Sequence, residues 1–555
     1  MAIRIALVQC NVAVGDLTGN AAMIRSNAAA ALTEVADIVV FPEMCLCGYP
    51  PEDLLLRPRF LEDTRRALDQ LADGWEGPVL MAGFAEQQGK NVYNSLAVIQ
   101  GGRIAAVYRK MLLPNYGVFD EKRYFTPGYE PIVFELNGVR LALTICEDIW
   151  NLDWLTRFLK ECRFDAIINI SASPFHSGKS PQRQAIIGQC AAHFRKPVLY
   201  CNLIGGQDEL VFDGRSLVAD HSGTIIASGK AFQNDIVYAD ITMQNQSAIV
   251  CLSKSTESAP AKEELEPVAE VYQALVLGTR DYVRKNGFSK VMIGLSGGID
   301  SALTAAIAAD ALGPDNVLGI TMPSRFNSTD TQDDARKLAE NLGIQFHSLP
   351  IESILKEFSG VLSAVPGWNE KGLAYENLQA RIRGCLMMSL SNQFGCMVLT
   401  TGNKSETAVG YCTLYGDTAG GFAVIKDVPK TLVYQLSDYV NRVAQKQRIP
   451  QSTIDRIPTA ELRTNQKDSD SLPEYDILDV ILQGYIERDK SPSELIAEGF
   501  PPRTVERVFR LVDLAEYKRR QCPPGVKITP RAFGKDRRMP ITNRYKPDFP
   551  EMHER

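Results

Sequence analysis

From residue 3 to about residue 240, short apolar, β-branched runs alternate with helix-like segments. Ile3 to Val12, Asp37 to Phe41, Val79 to Gly83, Leu141 to Cys146, Ala166 to Ile170 and Val198 to Cys201 have the length and composition of buried strands. Asn94 to Ile104 and Ser216 to Ile226 carry turn pairs, Gly101-Gly102 and Ser222-Gly223, and read as hairpins. Strands and helices mixed in this way predict a layered α/β domain, with sheet faces packed on each other and helices outside.

The pattern then lapses. Ser253 to Pro267 is polar, poor in large apolar side chains and punctuated by Pro260 and Pro267, so it reads as linker. Two domains, 1–245 and 267–555, are expected on either side of a connection at 246–266. After it come a helix (Val268 to Lys285), a strand (Lys290 to Leu295), a glycine turn, a helix of small residues (Ser301 to Leu312) and a strand (Asn316 to Met322). Ser328 is placed to cap a helix that runs to Leu342 and stops at Gly343, and Ile344 to Leu349 is the next strand. This βαβαβ order is the half-unit of a doubly wound parallel sheet, whose ligand edge lies where strands end and helices begin.

Composition narrows the partners more than the fold. A chain of 555 residues exceeds what one hydrophobic core organises, which agrees with two domains. With 45% hydrophobic residues, 23% charged residues and a net charge of -6, it lacks the basic field that draws nucleic acid. The N-terminus has no signal-peptide pattern and no apolar run is long enough to span a bilayer, so a cytoplasmic location without a membrane partner is expected. The twelve cysteines include no Cys-x-x-Cys pair, which argues against a structural zinc site and for thiols kept reduced.

Ser296-Gly-Gly-Ile-Asp-Ser301 lies directly after an apolar strand and before a helix. Gly297 and Gly298 let the backbone approach an oxyanion, the helix start offers free N–H groups, and Ser296 and Ser301 add hydroxyl donors. Asp300 suits such a cradle if it holds a Mg²⁺ ion that bridges phosphoryl oxygens. Gly223 to Gly229 with Lys230 is only a superficial P-loop match: its glycines are one residue too far apart and Ala231 replaces the metal-binding hydroxyl, so a hairpin strand is expected there.

The Ser-Gly-Gly-x-Asp-Ser stretch resembles the fingerprint of the ATP-pyrophosphatases. Tyr375-Glu-Asn-Leu-Gln-Ala-Arg-Ile-Arg-Gly384, Thr400-Thr-Gly-Asn-Lys-Ser-Glu406, Tyr415-Gly-Asp417 and Val428-Pro-Lys430 resemble, in order, the blocks of its NAD synthetase branch. The resemblance implies a Rossmann-like doubly wound domain that binds ATP through Ser296, Gly297, Gly298, Asp300, Ser301, Thr401 and Lys430, with Asp300 and Glu406 sharing Mg²⁺. Asn377, Arg381, Arg383, Lys404 and Asp417 would hold deamido-NAD. The basic stretch Tyr517-Lys-Arg-Arg520, Lys527, Arg531, Lys535 to Arg538 and Arg544 is expected to close over these anionic substrates.

In the first half three residues stand out, each after an apolar or β-branched run: Glu43, Lys110 and Cys146. A thiol attacks an amide as its thiolate, so it needs a base for its proton and a cation for the oxyanion, and these are such a set. A Ser-His-Asp alternative lacks material, with five histidines and no Gly-x-Ser-x-Gly-type context. Phe41-Pro-Glu43, Arg109-Lys-Met-Leu-Leu-Pro114 and Ile145-Cys-Glu-Asp-Ile-Trp150 resemble the nitrilase superfamily. With Gly48-Tyr-Pro-Pro-Glu-Asp-Leu54, they are similar to the glutaminase domain fused to NAD synthetases. That resemblance implies an αββα layered domain in which Glu43 is base, Lys110 stabilises the oxyanion and Cys146 forms a thioester. Tyr116, Glu147 and Ser173 would bind glutamine's amino-acid end, and Glu121 would be a second acid. Together the two resemblances imply transfer of ammonia from glutamine to ATP-activated deamido-NAD, in a homodimer or larger assembly; another adenylating amidotransferase or a silent nucleotide-binding scaffold are the rivals.

Overall fold

The computed structural model describes residues 2–244, 247–252 and 265–545. It divides into two compact units, Met1–Leu265 and Glu266–Arg555.

In the first unit a seven-stranded sheet runs in the order Ser247–Leu252, Asp235–Gln244, Ala2–Gln9, Ile38–Val40, Val79–Gln88, Asn91–Gln100, Arg103–Arg109. Its central strands Ala2–Gln9, Ile38–Val40 and Val79–Gln88 are parallel. A six-stranded sheet runs Ile225–Ser228, Leu217–Ala219, Val198–Asn202, Ala166–Ser171, Val139–Ile145, Val133–Leu136, again with parallel strands at its centre. The two-residue period of each strand divides its side chains between layers. Ile3, Ile5 and Leu7 meet Leu141, Leu143, Ile145 and Ile168 in one core between the sheets. Ala6 and Val8 face outward against helices Leu17–Thr33 and Pro58–Ala72, while Ala142 and Ile167 pack under helix Lys179–Phe194. Every central strand is therefore apolar on both faces, which is why it reads as a continuous run and not as an alternation. Each fully buried Ile or Leu contributes about 1.5–3 kcal/mol, and a one-residue slip would exchange the two cores. The layering is the αββα arrangement expected.

One boundary differs. Ser247–Leu252, assigned to the linker from sequence, is the edge strand of the first sheet, paired antiparallel with Asp235–Gln244. Ala248 and Val250 are buried while Ser247, Ile249 and Cys251 face out, an alternation too short to stand out before a polar tract. Residues 253–264 of that tract lie outside the described residues. The P-loop look-alike is strand Ile225–Ser228 of a hairpin with Leu217–Ala219.

The second unit holds a parallel five-stranded sheet in the order Gln345–Ser348, Val317–Thr321, Val291–Gly294, Met397–Thr400, Phe422–Ala423. Chain order reverses beside Val291–Gly294, so the turn after that strand opens into the crevice of a doubly wound sheet. Helix Ile299–Leu312 packs against Pro267–Lys285 and Lys430–Ala444 and is buried nearly all round, hence its run of alanines. The helix Thr329–Leu342 begins where Ser328 Oγ accepts from Thr331 N at 3.2 Å and ends at Gly343, whose φ is 71°. Helices Tyr475–Leu482, Pro492–Ala497 and Pro502–Leu514 form a separate apolar cluster with Lys404–Val409.

Candidate active sites

In the first unit Glu43, Lys110 and Cys146 all sit just past strand ends, and the fold brings them together in the buried interior. Glu43 follows Ile38–Val40 by a tight turn. A Cβ on Gly83 would fall 2.3 Å from Met44 N, so only glycine lets the neighbouring strand lie against that turn. Lys110 Nζ is 2.7 Å from Glu43 Oε1 and 2.9 Å from Glu121 Oε1. Asn94 donates to Glu43 Oε1 at 2.7 Å, Ala172 N to Glu43 Oε2 at 2.8 Å, and Tyr49 to Glu121 Oε1 at 3.0 Å. Burial works against the Lys110 charge, but Glu121 and Glu43 hold its pKa well above the ordinary value. Burial and the Glu43 charge push Glu121 up to about 7 against the pull of Lys110.

Cys146 opens the turn after Val139–Ile145 with φ 44°, a left-handed conformation that costs a non-glycine residue about 1–3 kcal/mol. Asp148 holds that turn. Its carboxylate accepts from Ile145 N at 2.9 Å, Met111 N at 3.2 Å, Leu112 N at 2.9 Å and Tyr108 Oη at 2.7 Å. One buried acid thus fixes the Cys146 turn to the segment that follows Lys110. Burial, and then the Glu43 charge, push the Cys146 thiol up, so it rests protonated.

Tyr116 Oη donates to Glu147 at 3.0 Å at the open side of this site, and Ser173 N donates to Asn202 Oδ1 at 3.0 Å. Lys179, unpredicted from sequence, joins them. Its Nζ lies 3.9 Å from the centre of the Trp150 ring, and burial with the Arg183 charge lowers its pKa to about 8, while Cys146 and Glu147 pull the other way. Asp148 was legible as part of the Cys146 motif; Lys179, thirty-three residues downstream, had no local signal.

In the second unit a cavity of about 590 Å³ opens at the sheet's switch point. Ser296, Gly298, Asp300, Ser301, Thr401, Glu406 and Lys430 line it, together with Asn377, Arg383 and Asp417. Gly297 lies behind the loop with φ 84°, where a Cβ would fall 2.1 Å from Thr331 O. Ser296 Oγ accepts from Gly298 N at 3.2 Å and Ser301 Oγ donates to Gly298 O at 2.9 Å, so the two hydroxyls shape the turn itself. Arg383 donates to Met322 O at 2.9 Å and to Asn327 Oδ1 at 3.1 Å, and burial lowers its pKa to about 10.

Two residues expected at this cavity are elsewhere. Lys404 is buried beneath it, with Nζ 2.8 Å from Glu487 Oε1, 3.0 Å from Asp427 Oδ1 and 2.7 Å from Thr529 Oγ1. Residues two apart on a helix point about 200° apart, so Glu406 and Lys404 face opposite ways. Arg381 is exposed, donating to Leu414 O at 3.3 Å, for the same reason relative to Arg383. The basic C-terminal stretch is corrected too. Lys527 pairs with Asp536, Arg531 with Asp489, and Arg519 with Glu516; of that stretch's described residues only Lys518 lines the cavity.

The metal expectation meets a suitable donor set. Lys430 Nζ bonds Asp300 and lies 3.6 Å from Glu406 Oε1, and Asn403 donates to Asp300 Oδ1 at 2.9 Å while its own Oδ1 caps Glu406 N at 2.9 Å. Burial and the Asp300 charge push Glu406 up to about 8 against Lys430. Two hard carboxylates sharing one ammonium are short of positive charge, which fits Mg²⁺. No cluster of three or more His, Cys, Asp or Glu stands ready for a metal among the described residues, so the remaining ligands would be phosphoryl oxygens and water.

An αββα unit that buries Glu43, Lys110 and Cys146 together, beside a doubly wound unit whose cavity is lined by a Ser-Gly-Gly turn, defines a two-domain, ATP-using amide-transfer class. Residues 4–249 match the carbon-nitrogen hydrolase family and 271–522 the NAD synthase family. The glutamine-dependent NAD(+) synthetases of Thermotoga maritima and Acinetobacter baylyi are each 45% identical to it, over 98% of this chain and 99% of theirs. A solved glutamine-dependent NAD+ synthetase from Acinetobacter baumannii, in complex with ADP, is 42% identical with a TM-score of 0.78, covering 99% of this chain and all of that one. The Cytophaga hutchinsonii synthetase, 23% identical with a TM-score of 0.83 over 98% of both chains, shares the fold. The chain belongs to the glutamine-dependent NAD(+) synthetase family.

Proposed function

We propose that this chain converts deamido-NAD to NAD at the expense of ATP, taking its nitrogen from glutamine, with Glu43, Lys110 and Cys146 as the amidase machinery. Glu43 takes the Cys146 proton as the sulfur attacks the side-chain amide, and the Lys110 ammonium meets the charge that develops on the carbonyl oxygen. Glu43 then passes the proton to the departing ammonia and activates water against the γ-glutamyl thioester. Glu121 Oε2 and Asn94 Oδ1, buried without a partner, are acceptors that the substrate amide N–H groups can fill. Glu147 with Tyr116 would receive the α-ammonium of glutamine, and Lys179 its α-carboxylate.

In the second unit the Ser296–Ser301 turn receives the phosphates and Lys430 answers their charge. Asp300 and Glu406 would hold Mg²⁺, which when bound neutralises phosphoryl oxygens. The nicotinate carboxylate of deamido-NAD takes the adenylyl group, pyrophosphate leaves, and ammonia displaces AMP. Asn377, Arg383 and Asp417, which line the cavity, would hold the dinucleotide.

The observation that carries this reading is that Glu43, Lys110 and Cys146 are buried together in one unit while Asp300, Glu406 and Lys430 line the cavity of the other. Cys146→Ala tests it: glutamine-dependent synthesis should fall to background while synthesis from ammonium stays within about twofold, since only the first needs the nucleophile. Loss of both activities in a folded variant would refute the division of labour.

A further inference from the structure

Asp300 and Glu406 stand in the first turns of two different helices, Ile299–Leu312 and Lys404–Val409, and one side chain joins them. Asn403 Nδ2 donates to Asp300 Oδ1 at 2.9 Å, and Asn403 Oδ1 accepts from Glu406 N at 2.9 Å as the cap of the second helix. Asn403 is fully buried, and the residues after it are pinned, so its amide has little room to swing away. Lys404 N donates to Val428 O at 2.9 Å and its ammonium sits among Glu487, Asp427 and Thr529, while Ser405 Oγ donates to Asp479. The two oxygens of Asp300 are consequently unlike. Oδ1 is held by a neutral amide in the interior, and Oδ2 meets the ammonium of Lys430, which lines the cavity with Asp300. Asp468 also lines the cavity, but its oxygens already accept from Tyr411 Oη at 3.2 Å and Tyr475 Oη at 2.9 Å.

We propose that Asn403 is a positioning residue that sets which divalent cation the synthetase cavity accepts, by holding Asp300 so that a single oxygen, Oδ2, is offered to the ion. This rests on the reading of Asp300 and Glu406 as the holders of Mg²⁺. A hydrogen bond to one oxygen of a ligating carboxylate fixes its plane and draws on that oxygen's electron density, so ligation through both oxygens at once is disfavoured. Mg²⁺ is small and octahedral, and one or two carboxylates with water and phosphoryl oxygens satisfy it. Ca²⁺ takes about six to eight oxygens and gains from a carboxylate that binds through both of its own. An Asp300 that gives one oxygen, beside a Glu406 fixed by the same amide, suits the first ion and leaves the second short of ligands. Asn403 lies behind the two acids and acts through them.

Asn403→Ser separates this role from helix capping, since serine supplies a capping oxygen but no amide N–H. Binding of α,β-methylene-ATP, which cannot lose pyrophosphate, to the full-length chain is measured by calorimetry in Mg²⁺ and in Ca²⁺, for the unsubstituted chain, Asn403→Ser, Asn403→Asp and Asp300→Ala. The unsubstituted chain should bind at least about tenfold tighter with Mg²⁺ than with Ca²⁺. In Asn403→Ser the Mg²⁺-supported affinity should fall about 10- to 100-fold, the usual cost of removing a metal ligand's partner, and the Ca²⁺-supported affinity less than about threefold. Asn403→Asp keeps the cap and adds negative charge beside Asp300, which should favour Ca²⁺ further, and it decides alone if circular dichroism shows Asn403→Ser unfolded. Asp300→Ala should lose the Mg²⁺ advantage; if it does not, the reading of the metal holders fails. If Asp300→Ala loses it while the Asn403 variants keep the unsubstituted chain's ratio, or if Asn403→Ser weakens binding equally with both ions, Asn403 does not select the cation and the inference is overturned.

Discussion

Two buried lysines differ in the acids that meet them. Lys110 is fully enclosed and held charged by Glu43 and Glu121, whereas Lys404, equally enclosed, is spent on Asp427 and Glu487 in the fold's interior. Sequence context marked both lysines, and only their partners tell them apart. Lys179 gives a test by pH. Its ammonium, lowered to about 8, is charged below that pH and neutral above it. If it holds the α-carboxylate of glutamine, wild-type kcat/KM for glutamine should exceed that of Lys179→Met by about 10- to 100-fold at neutral pH, the equivalent of a charged hydrogen bond of about 1.5–3 kcal/mol. Because deprotonation removes the bond, the advantage should shrink about tenfold per pH unit once the pH passes that of the free-enzyme group. An advantage constant from about pH 6.5 to 9.5 would remove Lys179 from glutamine binding.

Each site is fixed by a carboxylate that ties two elements. Asp148 joins the Cys146 turn to the segment after Lys110. In the second unit Asp479 accepts from Ser405 Oγ, Thr431 N and Thr431 Oγ1, while Lys430 N donates to Ser405 Oγ, so one acid fixes both the helix carrying Glu406 and the helix starting at Lys430. The Ser-Gly-Gly turn relies instead on the missing side chain of Gly297, which lies against Thr331 at the start of helix Thr329–Leu342. Gly297→Ala combines a strained φ with a backbone clash. Ammonium-dependent synthesis should fall by at least about 10²-fold, from about 3 kcal/mol of strain and displacement, with glutaminase activity intact. Parallel assays and circular dichroism check it; synthesis near the wild-type rate would show that the turn tolerates a Cβ and does not cradle phosphate.

Joining two catalysts in one chain makes physical sense when the intermediate is easily lost. Ammonia is mostly protonated at neutral pH, and the ammonium ion has no lone pair with which to displace AMP. We expect NAD formed per glutamate released to approach one, and to change little when an external ammonia-consuming enzyme is added in excess. Complete capture of the nitrogen by that enzyme, with NAD synthesis from glutamine abolished, would show that ammonia passes through bulk solvent.

Much of this molecule was legible in one dimension because its determinants are local. Strand-end positions of Glu43, Lys110 and Cys146, the Ser296–Ser301 turn, the cap at Ser328 and the stop at Gly343 depend on neighbouring residues, and the αββα and doubly wound layers follow from element order. Long-range facts were not legible: the pairing of Ser247–Leu252 onto the first sheet, the convergence of Lys179 on Glu147, the burial of Lys404, and the neutralisation of Lys527 and Arg531 by Asp536 and Asp489. Periodicity says which residues share a face of their own element. Which partner that face meets depends on packing between segments far apart in the chain, and that packing decides whether a charge is held for chemistry or consumed by the fold.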